Sequence, residues 1–215
     1  MTSKQQLPDL IRGPDGRKRC FWCGSAEEYL AYHDVEWGFP VRDDTRLFEK
    51  LCLEGFQSGL SWITILRKRE SFRSAFAAFD MDKVARFGPS KVKTLLGDAS
   101  IVRHRGKIEA AIQNAKAARA IRDEHGSFAA YVWKFEATPS NRPKRITRSV
   151  LSTMTTSPEA IAMSKDLKKR GFAFVGPTTV YAFMQAMGLV NDHLEGCLVR
   201  AEAERRRNNF KRPAT

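Results

Sequence analysis

The chain has 215 residues, 42 % of them hydrophobic, and a formal net charge of +13, which together fit one large domain or two small ones. No apolar run reaches the roughly 20 residues that a membrane span needs, and the first residues lack the pattern of a signal peptide, so we expect a soluble cytoplasmic protein without a membrane partner. Residues 1–19 have a net charge of +3 and residues 198–215 of +4, which leaves +6 between them and favours nucleic acid as the partner over a merely solvated basic surface.

The apolar periodicity predicts an all-α chain. Residues 1–19 are predicted to form a flexible basic tail and residues 201–215 a second one, with a helical extension of the last element as the alternative. The helical domain between them spans residues 20–200. Its predicted helices cover residues 26–36, 44–57, 60–69, 71–78, 81–86, 89–98, 104–122, 126–134, 158–170 and 178–188. Residues 138–156 are predicted to be a long connection, either a binding loop or mobile, and no alternating run is long enough for a sheet strand.

Glu54 is the most informative residue of the chain. Leu47, Leu51 and Glu54 recur at helical spacing, so the carboxylate lies on the apolar face of its predicted helix. Removing water from an unpaired carboxylate costs several kcal/mol or shifts its pKa. Gly59 and Trp62 follow closely, which predicts a concave aromatic site for a flat, polar, cationic ligand. The alternative is a Glu54 held by a buried arginine or by backbone amides.

Residues 91–121 are predicted to form two helices joined by a tight corner at residues 98–102. The first turn of the second helix contains Arg103, His104, Arg105 and Lys107, although a helix N-terminus favours negative charge. A DNA phosphate bound between these side chains and the free backbone N–H groups would explain the cations. The pattern therefore predicts a helix-hairpin-helix that contacts the DNA backbone, with an ordinary solvated helix start as the alternative.

Two cysteines and two histidines form a candidate metal site that is split along the chain. Cys20 and His33 lie near its start, whereas His193 and Cys197 lie four residues apart near its end. Four such ligands make a closed tetrahedral zinc site, which is structural because no position is left for water. Cys23 keeps one alternative open, since it forms a C-x-x-C pair with Cys20 and could replace His33 as a ligand. A thioredoxin-like redox pair would need a βαβ context, and the predicted elements contain none.

Nine segments occur between residues 19 and 197 in the order typical of one enzyme family: Arg19–Cys20, Tyr32–Asp34, Glu36–Gly38, Leu53–Gly55, Gly59–Thr64, Arg103–Ile108, Lys168–Phe172, Phe174–Gly176 and Gly188–His193. Through them the chain resembles the DNA-3-methyladenine glycosylase I family of the helix-hairpin-helix superfamily. The resemblance implies a monomeric hydrolase that extrudes 3-methyladenine from alkylated double-stranded DNA and hydrolyses its N-glycosidic bond. The products are free 3-methyladenine and an abasic site.

The resemblance also implies roles for individual residues. The base would be held by Glu54, which is also the catalytic residue, and by Tyr32, Trp62, Trp22 and Tyr29. The DNA contacts would come from Gly59, Leu60, Ser100, Arg103, His104, Arg105 and Lys107. A structural Zn²⁺ would be bound by Cys20, His33, His193 and Cys197. Residues 146–157 lack the Asp or Lys that other members of the superfamily use, which implies a monofunctional glycosylase without lyase activity.

The sequence departs from the family pattern at three places. Ser100 occupies a corner position where glycine is expected, Phe56 stands where some relatives have a polar residue, and the basic tails look like additions. Two other functional classes remain open on the sequence alone. They are a non-catalytic DNA-binding protein in which Glu54 is structural, and a zinc hydrolase with an open His and Cys site.

Overall fold

Helices form most of the computed structural model, which describes residues 8–214. Within that range the α-helices are α1 (Glu27–Val35), α2 (Asp44–Gln57), α3 (Trp62–Arg67), α4 (Arg69–Ala75), α5 (Met81–Val84), α6 (Pro89–Gly97), α7 (Arg105–His125), α8 (Phe128–Trp133), α9 (Arg148–Thr153), α10 (Pro158–Lys169), α11 (Pro177–Ala186) and α12 (Arg200–Asn209). The all-α prediction is confirmed. None of these helices combines the length and the hydropathy needed to cross a bilayer.

The N-terminal segment contains a β-hairpin that the sequence does not predict. β1 (Leu10–Arg12) pairs antiparallel with β2 (Lys18–Cys20), and Leu10 lies opposite Cys20. The expectation of a flexible tail is therefore wrong for residues 10–19. The hairpin was not predicted because strands of three residues are too short to show an alternating pattern. Residues 1–7 of the predicted tail lie outside the described residues. The hairpin is joined to the far end of the chain, because the Leu198 amide donates to the Lys18 carbonyl at 3.0 Å.

The C-terminal segment takes the helical alternative. Ala203 of α12 is fully buried, and the Phe210 ring that follows lies 4.4 Å from the ring of Trp133. The Arg206 guanidinium stacks 4.1 Å from the Phe39 ring, and Arg207 forms an ion pair with Glu136 at 2.9 Å. The helix is therefore docked on the domain up to residue 209 and is not a mobile tail.

α2 lies in the centre of the helical body and carries the predicted apolar face. Leu47, Leu51 and Glu54 are all buried, as the spacing predicts. The side chain of Asp43 accepts a hydrogen bond from the Arg46 amide at 2.8 Å and thereby caps the helix. The carboxylate of Asp44 accepts hydrogen bonds from the first amides of α8, which fixes the start of that helix against α2.

α9 lies within the predicted connection of residues 138–156, and α10 follows it. The Ser157 hydroxyl caps α10 through the Ala160 amide at 3.1 Å, and Pro158 occupies its first turn, which confirms the predicted start. α9 is missed by the sequence, because none of its residues is fully buried and its apolar pattern is weak. This short helix nevertheless places Leu151 and, just after its end, Met154 beside the cavity described next.

Candidate active site

A cavity of about 340 Å³ opens between α1, α2, α9 and α11. Its aromatic lining consists of Phe21, Trp22, Tyr29, Tyr32, Trp37, Trp62 and Tyr181. Its polar side chains include Glu54, Gln57 and Gln185. The volume is that of a small-molecule site, and a few polar groups in an aromatic setting are typical of one. The structure thus brings together all five residues expected to hold the base.

Glu54 reaches this cavity from the buried face of α2. It is 6 % exposed, and its Oε1 accepts from the Lys50 ammonium at 2.7 Å. The partner is a lysine one helical turn earlier, not the arginine or the backbone amides weighed as the alternative. The ion pair stabilises the buried carboxylate, and the cavity beside it remains open to a ligand.

The aromatic rings form a continuous slot along one side of the cavity. The ring centroids of Tyr32 and Trp62 are 5.4 Å apart, and those of Trp22 and Tyr29 are 5.5 Å apart. Burial raises the pKa of Tyr29 to about 12 and that of Tyr32 well above its usual value, so both phenols keep their protons near neutral pH. The electron-rich faces of such rings attract a flat cation.

The opposite wall was not foreseen from the sequence. The Tyr181 hydroxyl donates to Asp192 at 2.6 Å, and the Gln185 amide donates to the same carboxylate at 2.8 Å. Asp192 is fully buried and precedes His193 in the chain. The four-residue spacing of Tyr181 and Gln185 places them on one face of α11, but their shared partner is a tertiary contact that no local pattern reveals.

Cys20, His33, His193 and Cys197 lie together in one buried cluster, and their ligand atoms all lie within 4.8 Å of one another. Cys20 Sγ is 3.8 Å and Cys197 Sγ 3.7 Å from His193 Nδ1, while Cys197 Sγ is 3.4 Å from His33 Nε2. Tetrahedral zinc with ordinary bond lengths separates sulfur from nitrogen by about 3.6 Å. Cys23 is outside the cluster, and its thiol donates to the Cys20 carbonyl at 3.1 Å.

The outer nitrogens of both imidazoles have the partners that metal-binding histidines use. His33 Nδ1 lies 2.8 Å from the Asp34 carboxylate, and His193 Nε2 lies 3.0 Å from the Trp37 carbonyl. The hydrogen bond with Cys20 lowers the pKa of Cys197, and the same contact raises the pKa of Cys20. The cluster therefore favours one thiolate even without a metal, and its donor set fits zinc. Trp22 packs on His33 at 5.2 Å, which connects the cluster to the cavity wall.

The predicted hairpin joins α6 to α7. Arg103, His104 and Arg105 are exposed at its tip. The expected glycine is not needed, because the Ser100 amide and hydroxyl both donate to the Asp98 carboxylate and close the corner without a left-handed residue. The imidazole of His104 caps α7 through the Lys107 amide at 3.2 Å.

Lys107 occupies a different place from the other hairpin cations. It is 8 % exposed, and its ammonium donates to the carbonyls of Phe56 at 2.9 Å and Ser58 at 2.6 Å. The expectation that it binds DNA phosphate is not supported by this position, because its charge is used inside the protein. Lys107 instead connects α7 to the turn that carries Gly59 and Leu60.

Two exposed apolar side chains lie near this turn and the hairpin. Leu60 is 42 % exposed and Phe174 is 38 % exposed. Phe174 has a φ of +56°, which is strained for a residue with a side chain, and its ring packs 6.1 Å from His104. Sequence reasoning missed Phe174 as a functional candidate, because a strained backbone leaves no signal in a single sequence.

Comparisons with known proteins agree on one family. The family profile described as methyladenine glycosylase matches residues 22–201. DNA-3-methyladenine glycosylase 1 of Escherichia coli strain K12 is 50 % identical over 181 residues, which are 84 % of this chain and 95 % of that protein. The DNA-3-methyladenine glycosylase of Haemophilus influenzae is 47 % identical and covers 83 % of this chain and 96 % of its own.

Solved structures show the same relationship. A crystal structure of 3-methyladenine DNA glycosylase I has a TM-score of 0.77 at 47 % identity and covers 84 % of this chain and 98 % of its own. A point variant of such an enzyme, solved in complex with 3-methyladenine, has a TM-score of 0.78 at 35 % identity and covers 85 % of this chain and 97 % of its own.

Proposed function

This chain belongs to the methyladenine glycosylase family, and on that premise we propose that its aromatic cavity receives a 3-methyladenine extruded from DNA. The protein is a hydrolase that acts on the N-glycosidic bond of 3-methyladenine in alkylated DNA. The observation that supports the base site is a buried carboxylate facing a 340 Å³ cavity between aromatic rings. A base inside a duplex cannot enter such a cavity, so the nucleotide must first rotate out of the helix.

The chemistry demands little acid catalysis from the protein. Methylation at N3 makes the purine a cation, so the electron pair of the breaking C1′–N9 bond neutralises it and the base leaves without prior protonation. The oxygen of a water molecule then bonds to C1′ and releases a proton, which leaves an abasic site. We assign Glu54 to accept hydrogen bonds from the base and Tyr32, Trp62, Trp22 and Tyr29 to enclose it. The catalytic role of Glu54 is electrostatic, because its negative charge stabilises the positive charge that develops on the sugar as the base leaves in neutral form.

DNA would lie across the hairpin tip. Arg103, His104 and Arg105 are exposed there beside the first amides of α7, which suits a phosphate. Ser100, whose amide and hydroxyl both donate to Asp98, would shape the corner and not donate to the phosphate. We assign Gly59 and Leu60 to the gap left by the extruded nucleotide, since Leu60 is exposed at the rim of the adjoining groove. Lys107 supports this turn from behind. Because phosphate contacts release counterions, DNA affinity should fall as salt rises.

We further propose that Cys20, His33, His193 and Cys197 bind one structural Zn²⁺ in a monomeric enzyme. Bound zinc would cross-link the two ends of the domain, and its four protein ligands would leave no open position for water. Zinc content per chain, measured by mass spectrometry in the purified protein and in Cys197→Ser, tests the assignment. Loss of zinc with loss of thermal stability is expected, and gel filtration with light scattering tests the monomer.

Glu54→Gln tests the base site, because it removes the charge and keeps the shape. Release of 3-methyladenine from methylated duplex DNA, resolved by chromatography, should fall by about a hundredfold, as for the loss of one electrostatic contact in a transition state. Binding of undamaged DNA should be unchanged. Glu49→Gln is the matched control, since Glu49 is a buried carboxylate on the same helix that pairs with Arg73 outside the cavity. Equal release by Glu54→Gln and the wild type would refute the proposal.

A further inference from the structure

Lys50 contacts each of the three residues that form the core of the proposed base site. Its ammonium lies 2.7 Å from Glu54 Oε1, 2.7 Å from the Tyr32 hydroxyl and 3.2 Å from the centroid of the Trp62 ring. Lys50 is 5 % exposed, so its ammonium interacts with these three residues and hardly with solvent. A buried lysine in an active site requires an explanation, because burying its charge is unfavourable.

The ammonium approaches this group from behind the cavity. Lys50 lines a small recess of about 20 Å³ on the other side of Tyr32 and Trp62, and it does not line the base cavity. Glu54 lines the cavity and not the recess, whereas Tyr32 and Trp62 border both spaces. A base can therefore enter while Lys50 keeps all of its contacts.

These contacts fix which atoms donate and which accept. An ammonium only donates hydrogen bonds, so the Tyr32 oxygen acts as the acceptor toward Lys50. Among the described residues the hydroxyl has no other hydrogen-bond partner, and its own proton is free to be donated toward the cavity. Glu54 keeps Oε2 as an acceptor, because Oε1 is occupied by Lys50.

We propose that Lys50 is a positioning residue that sets base specificity by holding Tyr32 as a donor beside Glu54 as an acceptor. Adenine presents an N6 amino donor next to the N7 acceptor, which matches this pair. Guanine in the same orientation presents two acceptors, O6 and N7, and its O6 would face the carboxylate. The inference rests on the proposed function and predicts preference for 3-methyladenine over 3-methylguanine.

The charged groups around Lys50 are mostly paired with each other, so the charge of this site changes with pH mainly through Lys50 itself. Glu36 pairs with Arg69 at 2.6 Å and Glu49 pairs with Arg73 at 2.8 Å, so these groups offset each other around the recess. The remaining charged groups that face Lys50 are Arg46 and Glu54. Burial lowers the pKa of Lys50 to about 8 against the opposing effect of Glu54.

Deprotonation of Lys50 reverses the hydrogen bond with Tyr32. A neutral amine has a lone pair, so the Tyr32 hydroxyl can donate to it and is then lost as a donor toward the base. Preference for 3-methyladenine should therefore be constant below pH about 8 and decline above it.

The test is the ratio of initial release rates of 3-methyladenine and 3-methylguanine from methylated duplex DNA. Lys50→Met should lower this ratio about tenfold, the effect of one hydrogen bond, and Lys50→Arg should retain most of it. The expected pH dependence of the wild type should disappear in Lys50→Met. Lys83→Met, at an exposed position of α5, controls for loss of a lysine.

Tyr32→Phe separates positioning from general stability. If Lys50 acts through the Tyr32 hydroxyl, adding Lys50→Met to Tyr32→Phe should change the ratio no further. A wild-type ratio in a folded Lys50→Met protein would overturn the inference and leave the proposed function intact. If that variant does not fold, a wild-type ratio in Tyr32→Phe overturns it instead, because the proposal acts through the Tyr32 hydroxyl. A wild type that releases neither base would refute the proposed function itself.

Discussion

Gly38 offers a direct test of how tightly the proposed metal site of Cys20, His33, His193 and Cys197 is built. Its φ is +84°, and a Cβ added there would lie 2.8 Å from His193 Nε2 and 3.1 Å from its Cδ2. The same Nε2 lies 3.0 Å from the Trp37 carbonyl, so the imidazole is held from both sides. Alanine therefore cannot be accommodated unless the ring that carries the proposed ligand Nδ1 shifts.

The magnitude follows from two separate effects. The left-handed conformation costs alanine about 1–2 kcal/mol, and overpacking a filled core costs about 1–3 kcal/mol more. Gly38→Ala should thus lower the free energy of unfolding by about 2–5 kcal/mol, or the melting temperature by roughly 4–20 °C. Gly126→Ala is the matched control, because Gly126 has a φ of +78° with nothing within 4 Å of an added Cβ.

Urea and thermal unfolding of both variants, together with zinc content by mass spectrometry, distinguish the two effects. Gly126→Ala should lose only the conformational part, about 1–2 kcal/mol, and keep the zinc content of the wild type. Gly38→Ala should lose more stability and bind less zinc. If the two variants are equally stable and equally loaded with zinc, the imidazole of His193 is free to move and the reasoning about the cluster is wrong.

Three further changes have defined outcomes. Removal of residues 200–215 should lower the melting temperature, because this segment packs on Trp133 and Phe39. It should also weaken the salt dependence of DNA binding, while base release persists. An unchanged melting temperature would contradict the docking of α12. Phe174→Ala should weaken binding of duplex DNA without affecting binding of free 3-methyladenine, and Ile161→Ala, at a similarly exposed position, should change neither. Between pH about 8 and 10.5 the unfolded chain keeps the Lys50 proton that the folded protein has lost. The free energy of unfolding of the wild type should therefore rise with pH relative to that of Lys50→Met, by at most about 3 kcal/mol. A constant difference between the two proteins would refute the lowered pKa of Lys50.

The sequence predicts those parts of the fold whose information is local. The apolar stripe of α7 and the Ser157–Pro158 start of α10 were predicted correctly, because caps and periodicity act within a few residues. β1 and α9 were missed, since three residues are too few for a period and a half-buried helix has a weak one. α12 is stabilised by the contact of Arg206 with Phe39, and the Phe210 that follows it packs on Trp133; both partners are distant in sequence.

The candidate site shows the same division. The spacing on α2 places Glu54 on the buried face, but the wall formed by Tyr181 and Gln185 depends on tertiary packing. Lys50 was missed although a local signal existed, because a lysine and a glutamate four residues apart on a helix are within reach of each other. The internal use of Lys107 could not be foreseen, since a single sequence does not show which cations face solvent.

The proposed set of metal ligands, Cys20, His33, His193 and Cys197, also implies an order in biosynthesis. The first pair leaves the ribosome long before the second, and helices α2 to α11 are translated in between. Trp37, which packs on His193, therefore cannot reach its final environment until that histidine has been made. The proposed zinc site can therefore form only after residue 197 has been translated, so its assembly is a late step in folding.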